Sequence, residues 1–343
     1  MTRRVLRTIC LVALASAAPL SSAGADPVAD FFRGKVVSLI MSVGEGDGMD
    51  KAARVIAKHW TRHLPGNPGF VVKNMPGAGA LRATNFLHNQ APKDGTTLAG
   101  LIPSFVRQQM VGGTGVDYDS AAFQWLGSSN TSNTTVFVSA QSGITSLEQA
   151  MTKEVLMGST GTGSNSAHYP TILNNVLGTK FKIIMGYRGT PAINLAIDRN
   201  EVQGRAGETF NTLMLNHADW VKEKKINILT QIGKAKEPGF EFVPLMSEFA
   251  KTDAVREVLQ VFCDEIALGR PYLAPPGVPA ERVAALRKSF EATMKDPAFL
   301  ADAKQIRLDV AFTSGDELQK IAASLVHTRS DVLARAKAAL ESQ

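Results

Sequence analysis

The chain alternates short apolar runs, which predict buried strands, with longer stretches whose apolar residues recur at helical spacing. In the first half this pattern predicts three strands joined by two helices, and Asp50 is the expected N-cap of the first helix. The strands cover residues 36–41, 70–72 and 96–102, and the helices end near residues 64 and 87. This βαβαβ order predicts a parallel sheet with right-handed crossovers.

The second half predicts the same order of elements. Strands are expected at residues 135–139, 155–158, 181–185, 202–205 and 226–232, with helices between them, one capped by Ser146 and one at 192–199. We expect this second sheet to be parallel as well. A strand at 268–274 then leads out of it, and amphipathic helices follow, one of which starts with a capping box of Ser314 and Glu317.

Four loops rich in glycine, serine or proline each connect an apolar run to a helix. They cover residues 42–50, 74–79, 159–166 and 187–191. Where glycine leaves out Cβ, backbone N–H groups can point at a ligand, and a helix N-terminus adds roughly half a positive charge. Ligands of open parallel sheets bind beyond the carboxyl ends of the strands. Because two loops fall in each half, we expect an anion held between two lobes that close by a hinge motion.

The N-terminal residues have the pattern of a secretory signal peptide. Three arginines precede an apolar run at 9–20, and the small residues 23–25 precede the expected cleavage point before Asp26. The apolar run is far shorter than the roughly 20 residues that cross a bilayer. Residues 1–25 are therefore predicted to be removed on export, which leaves Cys263 as the one cysteine of the mature chain. We expect a buried, inert thiol there, with a redox or intermolecular role as the alternative.

Charge and motif spacing argue against several other classes of function. The formal charge of +6 includes the three arginines of residues 1–25, so the mature chain carries about +3, and no basic stripe interleaved with aromatic residues suggests nucleic-acid binding. The glycines of 44–48 lack the spacing of a dinucleotide fingerprint. His59 and His63 are four residues apart, but two ligands do not make a metal site, and we expect two partly exposed histidines. No cofactor or metal is predicted.

The case for catalysis is weak. The chain has no G-x-S-x-G nucleophile elbow, and neither Ser159 nor Ser164 has an evident histidine and acid to serve as base and orienter. An exported hydrolase is therefore the weaker alternative to a binding protein, and the chain is predicted not to be an enzyme.

Five short motifs, in order along the chain, resemble the substrate-binding receptors of tripartite tricarboxylate transporters, also called Bug receptors. The motifs occupy residues 71–79, 91–96, 158–164, 186–190 and 274–279. The resemblance implies an α/β, two-lobed type II periplasmic-binding-protein clamshell, each lobe a mostly parallel sheet flanked by helices. We expect lobe one to comprise residues 27–126 plus 262–343, and lobe two residues 127–261.

The resemblance also implies a function. Such a receptor captures a small carboxylated metabolite in the periplasm and delivers it to the membrane subunits of a tripartite transporter, and we expect a monomer. A ligand-sensing adaptor for a membrane sensor kinase would need the same clamshell and stays open as an alternative. Carried over by position, the ligand-binding residues of lobe one are Gly46, Asp47, Gly48, Met49, Asp50, Gly77, Ala78 and Gly79. Those of lobe two are Ser159, Thr160, Gly161, Ser164, Tyr187, Arg188, Gly189, Thr190, Gly207 and Glu208.

Three departures from the family pattern bear on the ligand: Asp47 in the first loop, Glu45 before it, and Glu208 where relatives tend to have an aromatic residue. Two like charges 4 Å apart repel by about 4 kcal/mol at an effective dielectric constant of 20. A tricarboxylate is therefore disfavoured unless Arg188 or a cation compensates. We expect a mono- or dicarboxylate, or a zwitterion whose cationic or hydroxyl-bearing end meets Asp47 or Glu208.

Several of these residues also have a purely structural interpretation. Asp50 is equally suited to capping a helix without any ligand, and Arg188 to a solvated loop tip. Met49 and Tyr187 are equally suited to packing without ligand contact.

Overall fold

The computed structural model describes residues 26–341. The predicted signal peptide at 1–25 lies outside this range. No helix in the described part of the chain is both long enough and apolar enough to cross a membrane.

The first sheet has six strands in the order β11-β4-β10-β3-β1-β2. They are β1 Val36–Met41, β2 Gly69–Asn74, β3 Thr97–Gly100, β4 Gln124–Ser128, β10 Pro271–Ala274 and β11 Thr313–Ser314. Strand β1 is parallel to both β2 and β3, as the βαβαβ pattern predicts. Strands β10 and β11 run antiparallel to their neighbours, so the sheet as a whole is mixed.

The second sheet has five strands in the order β7-β6-β8-β5-β9. They are β5 Thr134–Ser139, β6 Val155–Gly158, β7 Phe181–Ile184, β8 Gly204–Thr209 and β9 Ile226–Ile232. Only β6 pairs in parallel, with β7 and β8, whereas β5 is antiparallel to both β8 and β9. The expectation of parallel sheets was therefore wrong for this half. Strand β5 comes directly from the first sheet and inserts between β8 and β9, so no βαβ unit sets its direction.

Helices cover both faces of each sheet. They are α1 Pro27–Phe32, α2 Gly48–Trp60, α3 Leu81–Asn89, α4 Ser104–Met110, α5 Leu147–Ala150, α6 Asn165–Leu177, α7 Thr190–Asp198, α8 Phe210–Lys222, α9 Asp253–Ile266, α10 Ala280–Met294, α11 Pro297–Gln305, α12 Gly315–Val326 and α13 Ser330–Leu340. Ser314 caps α12 by accepting from Glu317 N–H at 3.3 Å. Ser146 precedes α5 but makes no side-chain cap bond.

Each sheet has its own apolar core. On one face of the first sheet, the fully buried Trp60 packs against Phe70, Tyr272 and Phe290. Helices α6, α9 and α13 contribute to the core on one face of the second sheet, where Cys263 is fully buried. Burial raises the pKa of this thiol to about 12, which agrees with the expectation of an inert group.

Two chain segments, 129–133 and 267–270, run next to each other and connect the two sheets. Ser129 N–H donates to Arg270 O at 3.2 Å, and Arg270 N–H donates to Asn130 O at 2.9 Å. Gly269 has a φ of +61°, and a Cβ there would lie 2.8 Å from Thr131 Oγ1.

The division of the chain into lobe one, residues 27–126 plus 262–343, and lobe two, residues 127–261, stays a prediction. Helix α13, assigned to lobe one, contacts α6 and α9.

Candidate ligand-binding site

In the first loop, between β1 and α2, the backbone hydrogen bonds are made mainly to acceptors of the same loop and the first turn of α2. Asp47, rather than the predicted Asp50, is the N-cap of α2, and its Oδ1 accepts from Met49 N–H at 2.8 Å. Asp50 lies inside the first turn, where its Oδ2 accepts from Gly46 N–H at 2.9 Å. Both aspartates fit a helix start, which is why the pattern misplaced the cap by one turn. Two backbone donors expected for the ligand thus already have carboxylate partners.

Asp50 is a buried carboxylate with its own cation. Arg54 donates to it through Nε at 3.1 Å and lies 3.0 Å away through Nη2. Asn74 donates to its Oδ1 at 2.9 Å. Burial by itself raises the pKa of Asp50, but the bonds from Arg54, Asn74 and Gly46 outweigh it and hold the pKa below the usual value. Asp50 is therefore compensated and contributes little repulsion toward an anion.

Met49 is 5% exposed and belongs to the apolar core under the first sheet. Its side chain therefore does not line the loop surface, in line with the packing interpretation. Gly46, Asp47 and Gly48 are exposed.

The second loop, after β2, has an uncommon backbone conformation. Four consecutive residues have positive φ: Gly77 at 139°, Ala78 at 47°, Gly79 at 62° and Ala80 at 82°. For alanine this conformation costs roughly 1–2 kcal/mol, so surrounding contacts must maintain it. Helix α4 supplies them, because Gln108 Nε2 and Ser104 Oγ donate to Gly79 O at 2.7 and 3.0 Å.

The third loop, between β6 and α6, contains a cluster of hydroxyls. Ser164 and Ser166 Oγ lie 2.7 Å apart, and Ser159 Oγ lies 3.1 Å from Ser166 Oγ. Ser164 Oγ also donates to Gly161 O at 2.7 Å. The N–H groups of Thr160 and Gly161 donate to hydroxyls of this cluster at 3.2 and 3.3 Å, respectively. These two predicted ligand donors are therefore used within the loop.

The N-terminus of α6 is left open. Ser164 is its N-cap residue but makes no side-chain cap bond. Ala167 and His168 N–H donate to Ser164 O, and among residues 26–341 neither Asn165 N–H nor Ser166 N–H donates a hydrogen bond. Two uncapped N–H groups at the positive end of a 13-residue helix are the chemistry that an anion requires.

Strand β8 passes close to this helix end. Gly207 has a φ of +86°, and a Cβ there would lie 2.8 Å from Ser166 N. The pairing with β5 shifts at this point, because Thr135 pairs with Glu208 but Val136 pairs with Ala206. Gly207 is thus the extra residue of a β-bulge, a feature that changes where the next side chain points.

The bulge places Glu208 beside Arg205. Arg205 Nη1 lies 3.4 Å from Glu208 Oε2, and the two residues are 3% and 2% exposed. Asn194 of α7 bonds to both side chains. Burial raises the pKa of Glu208, and the charge of Arg205 opposes that change. The expectation that Glu208 repels an anionic ligand is therefore weakened, because the buried guanidinium of Arg205 compensates its charge.

The fourth loop, between β7 and α7, runs next to the third. Tyr187 N–H donates to Ser159 O at 3.2 Å, and the Tyr187 ring lies 3.5 Å from where Gly158 would carry a Cβ. Arg188 is exposed at the loop tip. Gly189 precedes α7 without a side-chain cap bond, and Thr190 is the first helical residue. Since β6 and β7 are parallel neighbours, the N-termini of α6 and α7 lie at one edge of the second sheet.

The second loop faces the third across the two sheets. A Cβ on Gly79 would lie 3.6 Å from Gly163 O. Arg107 of α4 donates to Asn165 Oδ1, on the first residue of α6, at 2.9 Å. The structure thus brings together residues 77–79, 159–164, 187–190 and 207–208. The first loop joins this edge through Asn74, which donates to both Val43 O and Asp50.

Sequence reasoning missed Arg107, Arg205, Asn194 and Asn165. Arg205 lies at the end of a predicted strand and Arg107 in a segment for which no element was predicted, and no local pattern marks either arginine. Asn165 lies within the predicted loop at 159–166, and this was the one available signal.

The two histidines of α2 hold α11 rather than a metal. His59 is 3% exposed, and its Nε2 lies 2.8 Å from Asp302 Oδ2. His63 Nε2 lies 2.6 Å from Asp296 Oδ2. The expectation of partial exposure was wrong for His59 because α11 covers it. Among residues 26–341, no three His, Cys, Asp or Glu side chains are grouped to hold a metal ion.

Comparison with known proteins identifies the family of the chain. The family model described as the tripartite tricarboxylate transporter family receptor, TctC, matches residues 52–337. The chain belongs to this family. TctC receptors are periplasmic substrate-binding proteins rather than enzymes, which confirms the predicted class of protein. A search of curated proteins gave no match.

Solved structures show the same fold. The periplasmic binding protein BugD is 20% identical over 90% of this TctC receptor and 99% of its own chain, with a TM-score of 0.65. Rhodopseudomonas palustris MatC with bound malate is 16% identical over 90% and 99% of the two chains, with a TM-score of 0.63. An R. palustris protein with adipate is 17% identical over 89% and 97%, with a TM-score of 0.64. These matches confirm the two-lobed α/β periplasmic-binding-protein fold, with mixed sheets.

Proposed function

We propose that this TctC receptor captures a small carboxylated metabolite between its two sheets and delivers it to the membrane subunits of a tripartite transporter. The open N-terminus of α6 is the observation that carries the proposal. Its first-turn N–H groups on Asn165 and Ser166 donate no hydrogen bond within residues 26–341, and they lie opposite the loop of Gly79. The ligand carboxylate accepts from these groups, and the N-terminus of α7 adds a second positive helix end.

The charges around the site support a ligand with one or two carboxylates, or a zwitterion. Arg54 compensates Asp50, and Arg205 compensates Glu208. Asp47 and Glu45 remain exposed on the first loop, where they favour a cationic or hydroxyl group and disfavour a third carboxylate. Malate and adipate, bound by two proteins of this fold, are dicarboxylates, which is one of the ligand classes proposed here.

Arg188 supplies an exposed cation to the site. It is exposed at the tip of the fourth loop, one residue before the α7 cap, so a ligand carboxylate at that helix end lies within reach of its guanidinium. A charge-assisted bond to a carboxylate is roughly twice as strong as a neutral one. Arg188 therefore contributes affinity, while the helix ends fix the position of the ligand.

A thermal-shift screen tests the proposal. Mono-, di- and tricarboxylates and amino acids are added to the mature chain, and a ligand at a hundredfold excess over Kd adds about 2.7 kcal/mol to the free energy of unfolding. We expect a mono- or dicarboxylate or a zwitterion to raise the melting temperature most. No shift with any carboxylate, or the largest shift with citrate, contradicts the proposed ligand class.

Two arginines on opposite ends of α7 provide a matched comparison. Arg188→Ala removes the cation before the N-terminus and is expected to reduce the ligand-induced shift. Arg199→Ala removes an exposed arginine at the C-cap of the same helix, where no anion is expected, and is expected to leave the shift unchanged. Equal shifts for both variants contradict a role of Arg188 in binding.

Export and oligomeric state belong to the same proposal. Periplasmic location is a property of the family, and cleavage before Asp26 is the specific expectation from the sequence. Mass spectrometry of the chain secreted from a Gram-negative host checks the cleavage point, and light scattering checks the expected monomer. Co-purification with tripartite membrane subunits, but not with a sensor kinase, separates delivery from sensing.

A further inference from the structure

Arg107 is a buried cation that contacts two other helices at once. It lies on α4 and is 2% exposed. Its Nη1 donates to Glu265 Oε2 at 2.7 Å, and its Nη2 donates to Asn165 Oδ1 at 2.9 Å. The same Nη2 lies 3.2 Å from His168 Nδ1. These four residues are called the Arg107 cluster below.

The Arg107 cluster joins elements of both sheets. Helix α4 follows β3 of the first sheet, and α6, which carries Asn165 and His168, follows β6 of the second sheet. Glu265 lies near the end of α9, which leads through residues 267–270 into β10 of the first sheet. A change in the angle between the sheets therefore acts directly on the bonds of Arg107.

Because the cluster contains two buried charges, breaking these bonds carries a large cost in free energy. Glu265 is 3% exposed, so separating it from Arg107 leaves two buried ions without partners. Removing one partner of a buried ion pair is strongly destabilising for this reason. Burial lowers the pKa of His168 to about 3, with the charge of Arg107 adding to the effect, so His168 is neutral and its Nδ1 accepts from Arg107.

Helix α4 also holds the strained second loop. Ser104 and Gln108, one turn apart, both donate to Gly79 O, while Arg107 reaches the first residue of α6. One short helix thus fixes the two loops that face each other across the site. A guanidinium suits this position because its planar fork serves separate acceptors in fixed directions, which an ammonium group does not.

We infer that Arg107 is a positioning residue that sets the distance between the first turn of α6 and the 77–80 loop. The inference rests on the proposed function for one point only, that the first turn of α6 receives the ligand carboxylate. The spacing itself is a property of the unliganded chain. It can therefore be measured without any ligand, and its outcome is independent of whether a carboxylate binds.

Distance measurements between spin labels test this inference. The labels are placed on cysteines introduced at Gln90 and Lys153, which are exposed and precede β3 and β6 at the ends of the sheets remote from the loops. Cys263 is buried and stays in place unlabelled. In Arg107→Met/Glu265→Gln, which removes both charges, we expect the mean distance to move beyond the width of the native distribution.

Another buried ion pair, between Arg205 and Glu208, gives a matched control. Arg205→Met/Glu208→Gln also removes two buried charges, but both residues lie on β8 of the second sheet. We expect this variant to keep the native distance distribution. A native distribution in Arg107→Met/Glu265→Gln overturns the inference, as does an equal change in the control.

A milder variant decides the question if the charge-free double variant does not fold. Asn165→Ala keeps the Arg107–Glu265 ion pair and removes only the acceptor on α6. At a melting temperature near that of the native chain, we expect its label distances to broaden or lengthen. A native distribution in folded Asn165→Ala then overturns the inference.

Discussion

Gly207 leaves no room for a side chain where β8 passes the first turn of α6. A Cβ at this position would lie 2.8 Å from Ser166 N and 2.9 Å from Asn165 C, both of them backbone atoms. The φ of +86° is in addition a conformation that residues with a Cβ rarely adopt. Gly207→Ala therefore combines backbone strain with a collision that a side-chain rotation cannot relieve.

The expected cost follows from these two contributions. The left-handed conformation costs alanine roughly 1–2 kcal/mol, and overpacking adds about 1–3 kcal/mol. Gly178→Ala is the matched control, because Gly178 caps the other end of α6 at a φ of +77° with nothing within 4 Å of its Cβ position. The control carries only the first cost, so we expect the two variants to differ by about 1–3 kcal/mol.

Denaturant unfolding and the carboxylate thermal-shift screen measure the two consequences. Gly207→Ala should have the lower free energy of unfolding and a smaller ligand-induced shift, since α6 must move away from β8 and takes its open N–H groups with it. Gly178→Ala should keep the native ligand-induced shift. If the two variants unfold within about 0.5 kcal/mol of each other, the spread expected of unremarkable surface changes, and bind alike, the close approach described above is refuted.

Three further predictions concern single side chains. Asp47→Ala should destabilise the chain by about 1 kcal/mol through loss of the α2 cap, whereas Ser146→Ala, which removes a hydroxyl that caps nothing, should cost less; equal losses in thermal melts contradict the assigned cap. Glu208→Gln leaves the Arg205 charge buried without its partner and should cost about 3–5 kcal/mol, most of it recovered in Arg205→Met/Glu208→Gln; a Glu208→Gln variant as stable as the native chain speaks against the ion pair. The pKa of His168 is lowered to about 3 in the folded chain and is near 6.5 when unfolded, so only the unfolded state takes up this proton as the pH falls from 6.5 toward 3; stability should decline over that range, and less steeply in His168→Phe, which melting temperatures across the range will show.

The apolar runs predicted β1, β6 and β9 with the bounds that the structure has. A run of buried residues specifies a strand locally, so no distant contact was needed. The direction of β5 could not be predicted from the sequence, because packing between segments far apart in the chain decides that β8 and β9 are its neighbours. The pattern likewise gave no means to choose between Asp47 and Asp50 as the helix cap.

The candidate site was predictable as loops but not as charges. Regular alternation would place Arg205 and Glu208 on opposite faces of a strand, and only the bulge at Gly207 puts them side by side. Arg107 reaches partners 58 and 158 residues away, and nothing near it in sequence indicates them. Glycine and serine show where a backbone can meet an anion, but tertiary pairing decides which nearby acids remain uncompensated.

A crystal structure of this receptor with the mono- or dicarboxylate that gives the largest thermal shift tests the central claim most directly. We predict a carboxylate oxygen within hydrogen-bond distance of Asn165 or Ser166 N–H at the N-terminus of α6, facing the loop of Gly79. A carboxylate bound elsewhere, with that helix end still free, contradicts the account.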